Sequence, residues 1–314
     1  MSIGDAHTIH AHQRHHGWSR DAEPVYRATP GEVVEFEVID ASGGTITPET
    51  RVEDLATIDF SQMLPLTGPI HVDGAEPGDA IKATILAFAP SGWGWSAVTT
   101  RYGILADQFP DPALKIWTYD PAEATSALYN DIARVPLKPF PGTIGVAPGE
   151  PGVHSALPPR NVGGNLDIRD LTVGVELHLP VEVPGALLSI GDTHAAQGDG
   201  ELAGTAIESP MSVTVKLELE KDARLPGPWF DTPGPTRSHV DGDGYHVAVG
   251  VASDLMEAAR AATSNMIDLL GRLHQLTPED AYLLCSVCAD LHISEAVNKP
   301  NWVVSLYFPR LVFA

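Results

Sequence analysis

Apolar and polar residues alternate most clearly over Met211–Leu219 (MSVTVKLEL), a two-residue period that predicts a half-buried strand. Glu32–Ile39 (EVVEFEVI) and Ala80–Phe88 (AIKATILAF) read the same way. Each is bounded by turn text, Asp40-Ala-Ser-Gly-Gly44 after the first and Ala75-Glu-Pro-Gly-Asp79 before the second. Further strands are expected at Gly68–Gly74, Asp167–Leu179, Gly185–Ile190 and Trp302–Phe308, while residues 107–150 read as irregular and Pro-rich. Towards the C-terminus the period changes. Ser253–Leu273 carries apolar residues at helical spacing, and Thr277-Pro-Glu-Asp280 is a helix start, with Thr as N-cap, Pro at the first helical position and acids in the first turn. That second helix is expected to run to about Leu291. The pattern describes a mainly β chain closed by an α+β part.

At 314 residues the chain is long enough for about two domains and a large core. With 29 Gly and 27 Pro it is punctuated as a β protein. Lys and Arg number 19 against 41 Asp and Glu, a formal net charge of −22, and no basic cluster occurs. Nucleic acid and anionic membrane surfaces are therefore not expected partners. No apolar run approaches bilayer length, and the N-terminus lacks the apolar stretch of a secretory signal. Cys285 and Cys288 are the only cysteines, so no disulfide framework exists and a cytoplasmic location is expected. Their CxxC falls inside a predicted helix and reads as two core thiols.

The densest polar text is Gly191-Asp-Thr-His-Ala-Ala-Gln-Gly-Asp-Gly-Glu201, directly after an apolar strand. Residues two apart on a strand share a face, so Asp192 and His194 point together at a spacing that suits two metal ligands. Glu201 lies just past the Gly-rich turn, within reach of a water bound there. An ordinary glycine turn with a surface histidine gives the same text. Asn161-Val-Gly-Gly-Asn-Leu-Asp167 offers Asp167 as a third ligand and Asn165 as a polar contact; an Asx-type turn before a strand is the other reading. Five of the 13 histidines fall in the first 16 residues, a frayed terminus by default, but His16 beside Gly17-Trp18 is a candidate to line a pocket. His71, in Pro69-Ile-His-Val-Asp73, is a further candidate, or a structural histidine at a strand end. Two carboxylates and one imidazole suit zinc. No GxSxG elbow, Walker loop, dinucleotide fingerprint or Lys–Ser–Ser amidase arrangement is present.

The chain resembles the acetamidase/formamidase family along nearly its whole length. The resemblance rests on His16-Gly-Trp-Ser19, Gly68-Pro-Ile-His-Val-Asp-Gly-Ala75, Pro139-Phe-Pro-Gly-Thr-Ile-Gly-Val-Ala-Pro148, Asn161–Asp167, the long Gly191–Glu201 string, Glu279–Ser286 and Asn301-Trp-Val-Val304. It implies hydrolysis of small linear amides such as formamide or acetamide to a carboxylate and ammonia. It also implies a homodimer or higher homo-oligomer, and a β-sandwich (jelly-roll-like) domain, placed at 1–210, followed by a smaller α+β domain with two helices at 211–314. By motif it implies Asp167, Asp192 and His194 as ligands of a divalent metal, zinc with calcium as the other candidate, and Glu201 as general base. His16, His71 and Asn165 are expected at the substrate. Two other readings stay open: a metal-stabilised β-sandwich that binds a small ligand without turnover, and a hydrolase of a larger amide.

Overall fold

The computed structural model describes residues 6–59 and 62–313. Its centre is a sandwich of two six-stranded sheets. One has the strand order His7–Ile9, Val33–Val38, Met211–Glu220, Ala80–Pro90, Glu176–Pro180, Trp229–Asp231. The other has the order Gly163–Asn165, Phe140–Gly145, Leu188–His194, Pro65–Val72, Arg14–His16, with Tyr26–Ala28 also paired to Pro65–Val72. The alternation of Met211–Glu220 turns Val213, Val215 and Leu217 inward beside Val34, Phe36, Ile81, Ala83 and Ile85. Ile70, Ile144, Leu188 and Ile190 meet them from the opposite sheet. Each of the Val, Leu, Ile and Phe side chains among them contributes about 1.5–3 kcal/mol when fully buried.

The expected division at 210/211 falls at the head of a strand that the sandwich holds in its middle. Met211–Glu220 is hydrogen-bonded to Val33–Val38 on one side and to Ala80–Pro90 on the other. Edge strand Trp229–Asp231 belongs to the same sheet. The α+β unit begins with Tyr245–Ala252, which pairs with Trp302–Pro309, itself paired with Asp290–Glu295. Helix α1 (Leu255–His274) starts at the N-cap Asp254 and lays Ala258, Ala262, Met266 and Leu270 against this sheet. Helix α2 (Pro278–Cys288) starts as its sequence predicts, with the Thr277 hydroxyl accepting from the Asp280 amide. It stops three residues early because Ala289 is extended and Asp290 opens the next strand. Cys285 and Cys288 are buried in it, and burial pushes both thiols up.

Two expectations fail locally. Asp167–Leu179 is a turn-rich loop up to Glu176, because Asp167 takes a positive φ and the amides of Leu171 and Val175 close turns onto Ile168 and Thr172. Residues 107–150 hold four short strands, Ala113–Thr118, Ser126–Tyr129, Ala133–Pro136 and Phe140–Gly145. Prolines confine them to short stretches, which hides the alternation. Among the described residues no helix is long and apolar enough to cross a membrane.

The closest approach in the α+β unit is at Gly250. A Cβ there meets the Ala258 carbonyl at 2.0 Å and the Ala262 amide at 2.5 Å. Gly250→Ala is expected to push α1 off the sheet and cost about 1–3 kcal/mol, read as a lower midpoint in chemical denaturation. An unchanged midpoint refutes the close packing.

Candidate active site

The strand Leu188–His194 passes from one core to another. Leu188 and Ile190 lie in the sandwich core, and Ala195 and Ala196 lie in the core shared with the two helices. Between them sit Asp192 and His194, 4 % and 0 % exposed. Asp167 arrives from the loop after Gly163–Asn165. Glu201 comes from the Gly-rich loop, and Glu208 from a segment that bridges Trp95 and His194. Three of these acids are left-handed: φ is 48° at Asp167, 53° at Asp192 and 44° at Glu201. Such conformations cost of order 1–3 kcal/mol each and persist where the surroundings over-determine them. At Asp167 its own amide donates to the Gly142 carbonyl; at Glu201 the amide donates to Gly198 and the carbonyl accepts from Gly204.

Helix α2 holds the Glu201 loop. The Tyr282 hydroxyl donates to the Leu202 carbonyl at 2.5 Å while accepting from the Leu105 amide. One turn on, the Ser286 hydroxyl accepts from the Ala203 amide at 3.0 Å and donates to the Thr205 carbonyl at 2.6 Å. Gly198 packs so tightly on Ala289 that a Cβ would meet its carbonyl at 2.0 Å. Behind both acidic loops lies an ionic cluster. Arg169, two residues after Asp167, pairs with Asp290 at 2.5 Å and with Asp199 at 3.5 Å. Arg237 pairs with the same two carboxylates, at 2.9 Å each.

The imidazole orientation follows from its partners. Gln197 Nε2 donates to the Asp167 carbonyl at 2.7 Å, so its Oε1 faces His194 Nδ1 at 2.9 Å, and Nδ1 carries a proton. His194 Nε2 then faces Asp192 Oδ1 at 3.2 Å and Glu208 Oε2 at 3.1 Å. An Nε2 placed between two carboxylates calls for positive charge among them, which a proton on Nε2 or a divalent ion supplies. Donor atoms around a tetrahedral zinc, with bonds of about 2.0–2.1 Å, lie roughly 3.3–3.4 Å apart, close to these separations. Asp167 Oδ1 is buried without a hydrogen-bond partner. The donors of Asp167, His194 and Glu201 also lie within 4.8 Å of one another. A Cβ at Gly142 would reach Asp167 Oδ1 and His194 Cε1 at 2.7 Å each, so only glycine leaves the space open. The donor set fits a divalent ion.

Burial, then the charge of Asp192, pushes the Asp167 carboxyl up to about 7. Burial pushes Glu208 up to about 8 against the pull of His194. Burial and the nearby Asp167 raise Glu201 well above the usual carboxylate range. Burial acts the same way on Asp192, but the adjacent imidazole outweighs it and holds that carboxyl low. Burial opposes charge on His194 too, yet Glu208 and Asp192 raise its proton affinity well above the ordinary value.

These acids form the floor of a cavity of about 470 Å³. Asn165 lines it, but its side chain is committed to the Thr143 hydroxyl and the Leu157 carbonyl, so it shapes the wall. His16 lines the rim with an exposed ring. His71 does not line the cavity. Its ring packs on Gly185, with Nδ1 3.4 Å from Asp73 and Nε2 3.3 Å from the Arg27 guanidinium, so it serves the far part of the strand Pro65–Val72. Sequence reasoning missed Glu208 and Gln197. Gln197 had a signal in its place three residues after His194 inside the Gly-rich string. Glu208 had none, since a bridge across 14 residues brings it to the imidazole.

A cluster of acids and one imidazole in a cavity, with carboxyl groups raised by burial, is an arrangement suited to the acid–base chemistry of a hydrolase. The sequence profile described as "Acetamidase/Formamidase family" matches residues 4–155 and 150–314, and the chain belongs to that family. It is thus an enzyme that hydrolyses carbon–nitrogen bonds other than peptide bonds, in linear amides. The formamidase of Methylophilus methylotrophus is 28% identical across 96% of this chain and 89% of its own. The crystal structure of an acetamidase from Bacillus halodurans is 32% identical, with a TM-score of 0.68 and coverage of 96% of both chains. A gamma lactamase from Delftia acidovorans is 26% identical, with a TM-score of 0.88 over 96% of this chain and 89% of that one.

Proposed function

We propose that this enzyme is a metal-assisted amidohydrolase whose minimal substrates are formamide and acetamide, releasing a carboxylate and ammonia. The observation that carries the reading is the imidazole Nε2, 3.1–3.2 Å from two buried carboxylates, with Asp167 Oδ1 and Glu208 Oε2 buried and lacking hydrogen-bond partners. His194 would hold the ion with Asp192 and Glu208, or with Asp167 on the other side of the same imidazole. Bound there, a divalent ion such as zinc supplies Lewis acidity towards a carbonyl oxygen and acidifies water. The remaining work falls to this chain. Gln197 fixes the His194 tautomer and ring plane. Glu201, raised by burial, takes a proton from the attacking water and delivers it to the departing nitrogen. Leu64 and Trp95 keep bulk water from the floor. The reading carries with it the homo-oligomeric assembly that the family resemblance implies and the cytoplasmic place expected from the sequence. A ring amide is a second reading, favoured by the lactamase relative.

Ammonia release from formamide and acetamide tests the proposal. Turnover is expected to disappear with chelator and return with stoichiometric zinc. Full turnover after the protein is shown to be metal-free refutes the metal. Bound calcium with no release from any amide favours a ligand-binding sandwich instead.

A further inference from the structure

The cavity is far larger than its minimal substrates. Acetamide has four non-hydrogen atoms, and at a water's share of liquid volume for each it occupies on the order of 100 Å³. The cavity has about 470 Å³, within the roughly 300–1,000 Å³ of sites that enclose drug-sized ligands. The four acids are only part of its lining. The rest of the wall includes Met63, Leu64, Trp95, Val153 and Leu157. Trp95 is fixed, its indole N–H donating to buried Asp40 at 3.0 Å. The loop bearing Val153 and Leu157 is pinned through paired backbone bonds between Trp18 and His154, and through Asn165 on the Leu157 carbonyl. Even so, Val153 is 75 % and Leu157 45 % exposed, a rigid apolar rim open to solvent. No Lys or Arg is among the described lining residues, while four carboxyl groups are. An anionic group on the substrate would meet no guanidinium or ammonium there, only the His16 and His154 rings and neutral polar groups beside an acidic cluster.

We propose that the cavity takes uncharged amides whose acyl group carries an apolar body of about six to ten non-hydrogen atoms, aryl or branched alkyl. The carboxamide sits on the acidic floor and the apolar body lies against Leu64, Trp95, Val153 and Leu157. This rests on the amidohydrolase reading and adds the substrate class. Formamide and acetamide fill the reacting end alone and leave the apolar wall wet, so they forgo the binding energy of that surface.

The test measures kcat/KM by ammonia release, and affinity by calorimetry, for formamide, acetamide, phenylacetamide and succinamate with the metal-loaded protein. Phenylacetamide is expected to exceed acetamide by about a hundredfold or more in kcat/KM, and succinamate to be the poorest. Leu157→Asp, at a rim position that tolerates polarity, is expected to shrink the phenylacetamide-to-acetamide ratio about tenfold or more. Acetamide or formamide turned over as well as phenylacetamide overturns the substrate class and keeps the amidohydrolase. Release from none of the four, with phenylacetamide still bound more tightly than acetamide, overturns the amidohydrolase and keeps the substrate class.

Discussion

Glu201→Gln is expected to lower kcat for amide hydrolysis by about 10²–10⁴-fold, the usual worth of a positioned general acid–base. The argument rests on protonation and on place. Burial and the charge of Asp167 raise the proton affinity of the Glu201 carboxyl, which strengthens it as an acceptor for a proton from water in the cavity it lines. Its amide and carbonyl are held by Gly198 and Gly204, and its loop is gripped by Tyr282 and Ser286, so the isosteric amide enters an unchanged backbone. Steady-state ammonia release should show the loss in kcat, with metal content and thermal midpoint near the parent's. A kcat within about threefold of the parent removes Glu201 from proton transfer and passes the role to Glu208, whose carboxyl is also raised.

The second large effect is on stability. Arg169→Met is expected to destabilise the protein by about 3–5 kcal/mol, because it leaves buried carboxylates short of a cation. Arg169 is 2 % exposed and Asp290 0 %. Arg237 remains bonded to Asp290 and Asp199 and places the loss towards the lower end of that range. Equilibrium denaturation should give a lower midpoint at similar slope. A shift below about 1 kcal/mol shows that Arg237 alone compensates both carboxylates and that Arg169 is not required for stability.

Much of this architecture was legible in the chain because local pattern and tertiary role agree. Met211–Glu220 alternates since both its neighbours bury the same face, and the start of α2 follows from Thr277 and Pro278. Asp167, Asp192, His194 and Glu201 stood out because glycines flank them, and the backbone does turn sharply there. What failed was long-range. A periodicity argument sees no partner, so it read Met211–Glu220 as a strand but left it in the α+β domain, and it ran a strand through the left-handed Asp167. Glu208 reaches the site by a bridge that no spacing rule encodes, and His71 was drawn in by motif although Gly185 receives its ring. The apolar wall was invisible for the same reason, since Leu64, Trp95 and Leu157 are distant in the chain and ordinary in composition.

The grip of α2 and Asp290 on the Glu201 loop has a consequence for how the enzyme comes into being. Chains are made from the N-terminus, and a leading domain generally folds while the rest is still being synthesised. Every strand of the sandwich has been made by Asp231, well before Tyr282, Ser286 and Asp290. A growing chain therefore passes through a stage with a complete sandwich and a slack Glu201 loop. Ribosome-bound chains arrested between Asp231 and Thr277 should resist protease across the sandwich, yet stay cleavable near Gly198–Gly204 and catalytically silent. An element made late in synthesis thus switches the catalyst on, and a chain that ends before it cannot act.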